Sequence, residues 1–181
     1  MAWRNTQDSF GMISRLLHWT MALGVIFMLA LGNRLADLKP DLSTLYLYGL
    51  HKSVGLSILC LTIVRLIWHR VSPPPLPIGP VSAWATRAAR AAHAMIYILL
   101  IMIPISGWFA SSATGIDVML FDRWVLPPIA PVSALWEDRG FAVHGILTKA
   151  LFAIISVHIL GALIREINGD GTLTRMISGN R

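Results

Sequence analysis

The stretch VHGILTKALFAIISVHIL, Val143 to Leu160, decides the architecture of this chain. It is apolar enough to lie within a lipid bilayer, yet it carries two histidines, His144 and His158, fourteen positions apart. On an α-helix fourteen steps of about 100° come to about 1400°, some 40° short of four full turns. The two imidazoles therefore share a face, separated by about 21 Å of helix rise. One metal cannot touch both. Two separate sites on one helix face can each take one.

The rest of the chain has the same character. Of its 181 residues 55% are hydrophobic and 13% charged, with a mean hydropathy of +0.65. Soluble domains carry about 25% charged residues, so a polar shell is scarcely available here. A bilayer-spanning helix needs about 20 mostly apolar residues, and four stretches qualify, at roughly 13–32, 46–68, 93–113 and 141–164. These observations imply an all-α integral membrane protein, a four-helix up-and-down bundle in one membrane-embedded domain over 1–181. The first stretch is too long for the apolar core of a cleaved signal peptide, and no small-residue cleavage pattern follows it. The single cysteine, Cys60, lies inside the second stretch, where a small apolar packing role is expected. No C-x-x-C-H is present, which excludes covalent c-type haem attachment.

The net charge of +6 invites a nucleic-acid reading, but its distribution argues for topology instead. With the N-terminus in the cytoplasm, nine of the fifteen basic residues fall on the inner side, among them Arg15, Arg65, Arg70, Arg87, Arg90 and Arg181. The outer side holds the other six, Lys52 and Lys149 included, together with six of the nine acids. Basic loops stay inside. Both termini and the proline-rich HRVSPPPLPIGP connection are therefore expected in the cytoplasm, with no nucleic-acid partner. The one long connection, GIDVMLFDRWVLPPIAPVSALWEDRG at 115–140, suits a folded cap on the outer interface. Trp19, Trp68, Trp84, Trp108, Trp124 and Trp136 fall near helix ends or in loops, as an interfacial aromatic belt does. Pro104 should kink the third helix.

Six histidines remain to be placed. Ionisable residues at membrane depth are costly and mark function, and depth sorts them. His51 opens the second helix and His144 the fourth, forming an outer pair. His18, His93 and His158 lie in the inner half and supply an inner pair. His69 sits beside Arg70 at a helix end, where interface decoration is its expected role. Structural zinc takes four ligands, commonly with cysteines, and one cysteine cannot serve both levels. Bis-histidine haem takes one imidazole from each of two facing helices and needs space for a flat macrocycle. Gly55, Gly145 and Gly161, close to His51, His144 and His158, are candidates for making that space. The residues alone leave three readings open: two b-type haems, proton-conducting histidines, or structural histidines.

The words SRLLHW at 14–19, LHKSVGLSILCLTIVRLIWHR at 50–70 and IPISGW at 103–108, with the paired histidines of the fourth helix, resemble the prokaryotic cytochrome b561 family. The likeness covers nearly the whole chain. It implies a bacterial cytoplasmic-membrane cytochrome with two non-covalent haem b groups, His18 with His158 holding the inner iron and His51 with His144 the outer. It selects His18 over His93, which depth does not. Six-coordinate iron has no free position for a substrate, so one-electron transfer is the expected chemistry. The resemblance further implies exchange with the quinone pool, with superoxide or a periplasmic electron carrier as donor at the outer face. The inner arginines, and Lys52 and Lys149 outside, are candidate partners for haem propionates. Another reading is a haem-bearing membrane anchor subunit of a larger dehydrogenase or hydrogenase. A colourless proton-coupled transporter is the reading from a different class.

Overall fold

The computed structural model describes residues 2–39, 41–76 and 82–179. Residues 77–81 of the proline-rich connection and Arg181, counted among the inner cations, lie outside them. Four long helices, α1 (Met12–Ala36), α2 (Leu45–Val71), α3 (Ala83–Ala113) and α4 (Ala134–Ile167), are each long and apolar enough to cross a membrane. A hairpin of β1 (Val118–Leu120) and β2 (Trp124–Leu126) lies between α3 and α4, and a short α5 (Thr172–Ser178) ends the described chain. The labels inner and outer follow the expected orientation.

The helices extend well past the apolar stretches. α3 begins at Ala83, ten positions before the expected start, because Ser82 caps it by accepting from the Ala85 N–H and because WATRAARAA is rich in strong helix formers. α4 begins at Ala134 rather than 141, just past Pro131, with Glu137 in its first turn where the helix dipole favours an acid. At about 1.5 Å per residue its 34 residues reach about 51 Å, more than the ~30 Å hydrocarbon core requires. The apolar pattern marks the lipid-embedded part of each helix, and helix propensity carries it on.

Close backbone packing runs from α1 to α2, α2 to α3 and α3 to α4, while α4 hardly approaches α1 or α2. Gly140 is one cause of the tight α3–α4 contact, since a Cβ there would lie 2.8 Å from that of Ala110. The core is a band at mid-depth, built on Met21, Val25, Ile58, Leu99, Leu100 and Leu151. Leu151 is seven positions from both His144 and His158, so all three lie on one stripe of α4 with the apolar band between the imidazoles. Outward faces are apolar too: Phe152, Val157 and Leu160 are more than half exposed, as lipid-facing residues are. Cys60 is also exposed, on the outside of α2 rather than packed within. The helices' own hydroxyls are internally satisfied, Ser53, Ser57 and Thr62 each donating to the carbonyl four residues back.

The long connection is partly strand. Phe121 and Asp122 both take positive φ, 50° and 54°, which turns the hairpin tightly. Such a backbone is strained for phenylalanine; the Phe121 N–H is held by the Ser53 hydroxyl at 2.8 Å, pinning the turn to α2. At the other end α5 folds back on α1. Trp19 Nε1 donates to the Met176 carbonyl at 3.0 Å and Arg15 to that of Ser178 at 2.7 Å.

Candidate haem sites

The structure brings the expected histidines together at two levels. At the outer level the rings of His51 on α2 and His144 on α4 meet edge to face, with centres 6.2 Å apart and planes inclined by 72°. At the inner level His18 on α1 and His158 on α4 are 6.5 Å apart, and His93 on α3 lies closer to His158, at 5.1 Å. His69 lies edge-on to Tyr97, ring centres 6.0 Å apart.

Whether an iron porphyrin fits is a question of spacing. A metal–imidazole bond of about 2.0–2.1 Å plus a ring radius of about 1.2 Å puts two coaxial ligand rings about 6.4 Å apart. The 6.2 and 6.5 Å pairs match that figure in centre-to-centre distance, and the 5.1 Å pair is too close for two ligands on opposite sides of one ion. Both fitting pairs span the helix pairs α2/α4 and α1/α4, whose backbones stay apart. A flat macrocycle needs helices that stand apart in this way. Among the described residues no cluster of three or more His, Cys, Asp or Glu forms a metal cage.

The glycines that shape the sites are not those suggested by adjacency to the histidines. A Cβ at Gly145 or Gly161 would meet nothing within 4 Å, and one at Gly55 would touch only Met28. Gly32 on α1 and Gly107 on α3 take that role instead. A Cβ at either would lie 3.1 Å from Cε1 of the His51 or His144 ring, respectively. Their signal in the sequence is depth: each lies at the level of the outer histidines on a neighbouring helix.

Hydrogen bonds prepare the two levels differently. His144 Nδ1 lies 3.0 Å from the Ile103 carbonyl, one residue before Pro104. A carbonyl only accepts, so this nitrogen carries the proton and Nε2 keeps its lone pair for a metal. Ser106 Oγ donates to the same carbonyl at 2.8 Å. His51 Nδ1 is buried without a hydrogen-bond partner among the described residues. Inside, His18 Nδ1 lies 3.0 Å from Arg65 Nη2. Of the six inner arginines named above, Arg181 lies outside the described residues, Arg70, Arg87 and Arg90 are exposed and Arg15 is turned to α5. Arg65 is the one that reaches a site histidine. Lys149 is exposed, whereas Lys52 is half-buried beside His51.

The pattern of four membrane helices with two levels of facing histidines is that of a membrane cytochrome b. The model of the family described as prokaryotic cytochrome b561 matches residues 9–179, and the chain belongs to that family. It is 32% identical to cytochrome b561 homolog 2 of Escherichia coli over 98% of this chain and 95% of that one. It is 29% identical to cytochrome b561 homolog 1 of the same organism, over 89% and 92%. A protein of Yersinia pestis described as probable superoxide oxidase CybB is 26% identical, over 91% and 93%. The chain is thus a multi-pass bacterial membrane cytochrome b that works in electron transfer with haem b.

Proposed function

We propose that the chain carries two haem b groups and passes single electrons across the cytoplasmic membrane to or from the quinone pool. In this reading His18 and His158 ligate the inner iron, His51 and His144 the outer, and both termini lie in the cytoplasm. The observation that carries it is the coincidence of ring spacing and helix gap at both levels. Haem held by these histidine pairs would supply a reversible one-electron couple. The protein's own part is to orient and insulate. The Ile103 carbonyl, one residue before Pro104 within α3, holds His144 in the ligating tautomer. The band of Val25, Ile58 and Leu151 keeps water from the space between the levels. Gly32 and Gly107 leave the outer rings room.

The test is haem stoichiometry. Pyridine haemochrome assay of the pure protein should give two haems per chain, and His18→Ala, His158→Ala, His51→Ala and His144→Ala should each give one. Two haems retained in any of these variants would refute that ligand. Loss in His93→Ala with His18→Ala silent would move the inner ligand to α3. Ubiquinol added to the oxidised protein should reduce the haems; no reduction would remove the quinone from the proposal.

The Y. pestis relative's description favours a second reading, with superoxide as the outer donor. An anionic donor gains from a cationic approach, and the outer side balances six cations with six acids. Half-buried Lys52 beside His51 is the local exception. Haem reduction by a superoxide source, abolished by added superoxide dismutase, would establish this reading; its absence would leave quinol as donor.

A further inference from the structure

Arg65 sits six residues inside the end of α2, at membrane depth, where a guanidinium is costly unless it serves the site. It is half-buried, its Nη2 donates to His18 Nδ1 at 3.0 Å, its guanidinium also bonds the Tyr97 side chain, and its Nε is buried with no partner among the described residues. Arginine has donors only. His18 Nδ1 must therefore accept, which leaves the ring proton on Nε2. That is the opposite tautomer to His144, whose Nδ1–H is already committed to the Ile103 carbonyl. A histidine that ligates iron through Nε2 carries its proton on Nδ1 and has no lone pair there for Arg65. So the Arg65–His18 bond and ligation by His18 Nε2 exclude each other.

We propose that Arg65 is the cationic partner of a carboxylate on the inner haem and the gate to its ligand. Taking up the cofactor transfers the guanidinium from His18 Nδ1 to a propionate oxygen. The move frees Nδ1 to take the proton and Nε2 to bind iron, with no net gain or loss of protons. It satisfies a planar fork that the imidazole engages through one nitrogen alone, because a carboxylate offers two oxygens to a guanidinium. The outer level has no such latch: its His144 is held by a backbone carbonyl. The inference rests on the bis-histidine reading above and assigns one particular contact within it.

The test uses the full chain carrying His51→Ala, so that the inner level alone loads, made in haem-starved cells. It is titrated in detergent with haem b or with haem b dimethyl ester, whose carboxylates are methylated, and followed by Soret absorbance. With Arg65 in place the ester should bind at least about tenfold more weakly, the range for a hydrogen bond to a charged group. Arg65→Met should bind the two alike, and Arg65→Lys should recover part of the preference. An unchanged preference in Arg65→Met, or none with Arg65 present, overturns the proposal. Should Arg65→Met load neither compound, the lysine variant decides: preference for the acid supports the pairing, and equal binding refutes it. Failure of the bis-histidine reading looks different, as His51→Ala protein that still holds two haems or wild-type protein that takes up none.

Discussion

Gly107 offers the sharpest check on how the outer level is built. A Cβ at this position would stand 3.1 Å from His144 Cε1 and 3.2 Å from Nδ1. Carbon contacts prefer about 3.5–4.0 Å, so Gly107→Ala must push the imidazole away by about half an ångström. Metal–ligand distances tolerate about ±0.2 Å, and His144 is further tethered to the Ile103 carbonyl at 3.0 Å, which resists the shift. Overpacking of this kind costs about 1–3 kcal/mol, which weakens haem at the outer level by about fivefold to 150-fold. Gly107→Val should exclude it. Gly145→Ala and Gly161→Ala are the controls, since their new methyl groups would meet nothing within 4 Å. They should keep full haem and gain slight helix stability, up to about 1 kcal/mol. The assay is haem per chain and the Soret titration of each purified variant. Full, tight loading in Gly107→Val, or haem loss in Gly161→Ala, would refute the assignment of the shaping role to the facing glycine.

Leu151→Ala opens a cavity in the band between the two levels and should lower thermal stability in detergent by about 2–5 kcal/mol, read from denaturation of the apoprotein. Ser53→Ala removes the hydroxyl that holds the Phe121 N–H, so the strained turn should loosen at a cost of about 1–3 kcal/mol and the hairpin should become sensitive to protease. The C-terminal junction should respond to acid. Burial would push the Asp170 carboxyl up, but hydrogen bonds from the Thr172 side chain and backbone and from Arg165 hold it below the usual aspartate value of 3.8. A lowered value means stability that is complete above the unfolded value and fades as the pH falls through the folded one. Below about pH 4 α5 should therefore part from α1, and Trp19, bonded to the Met176 carbonyl, should report it by fluorescence. Asp170→Asn should remove this acid transition while leaving the others.

Much of this protein is determined by sequence alone, because the governing rules are local and periodic. Four apolar stretches with short connections leave few options but an up-and-down bundle, since a bilayer admits helices whose backbone bonds are satisfied within the segment. The 3.6-residue period puts His144, Leu151 and His158 on one stripe whatever surrounds them. Chain direction then sorts the histidines by depth. Tertiary structure decides what period and depth leave open: the rotation of each helix about its axis and the lateral gap to its neighbours. Gly32 and Gly107 come to face His51 and His144, while Gly145 and Gly161, adjacent in sequence to their histidines, face open space. Arg65 reaches His18 while Arg70, five residues on, turns outward. His158 is left between His18 at 6.5 Å and His93 at 5.1 Å, a difference that separates a pair spaced for ligands on opposite sides of one ion from a closer ring contact. The physical reason is that α4 leans on α3 through the Gly140–Ala110 contact and so stands off from α1 and α2. That offset arises between helices, and no window of sequence within one helix contains it.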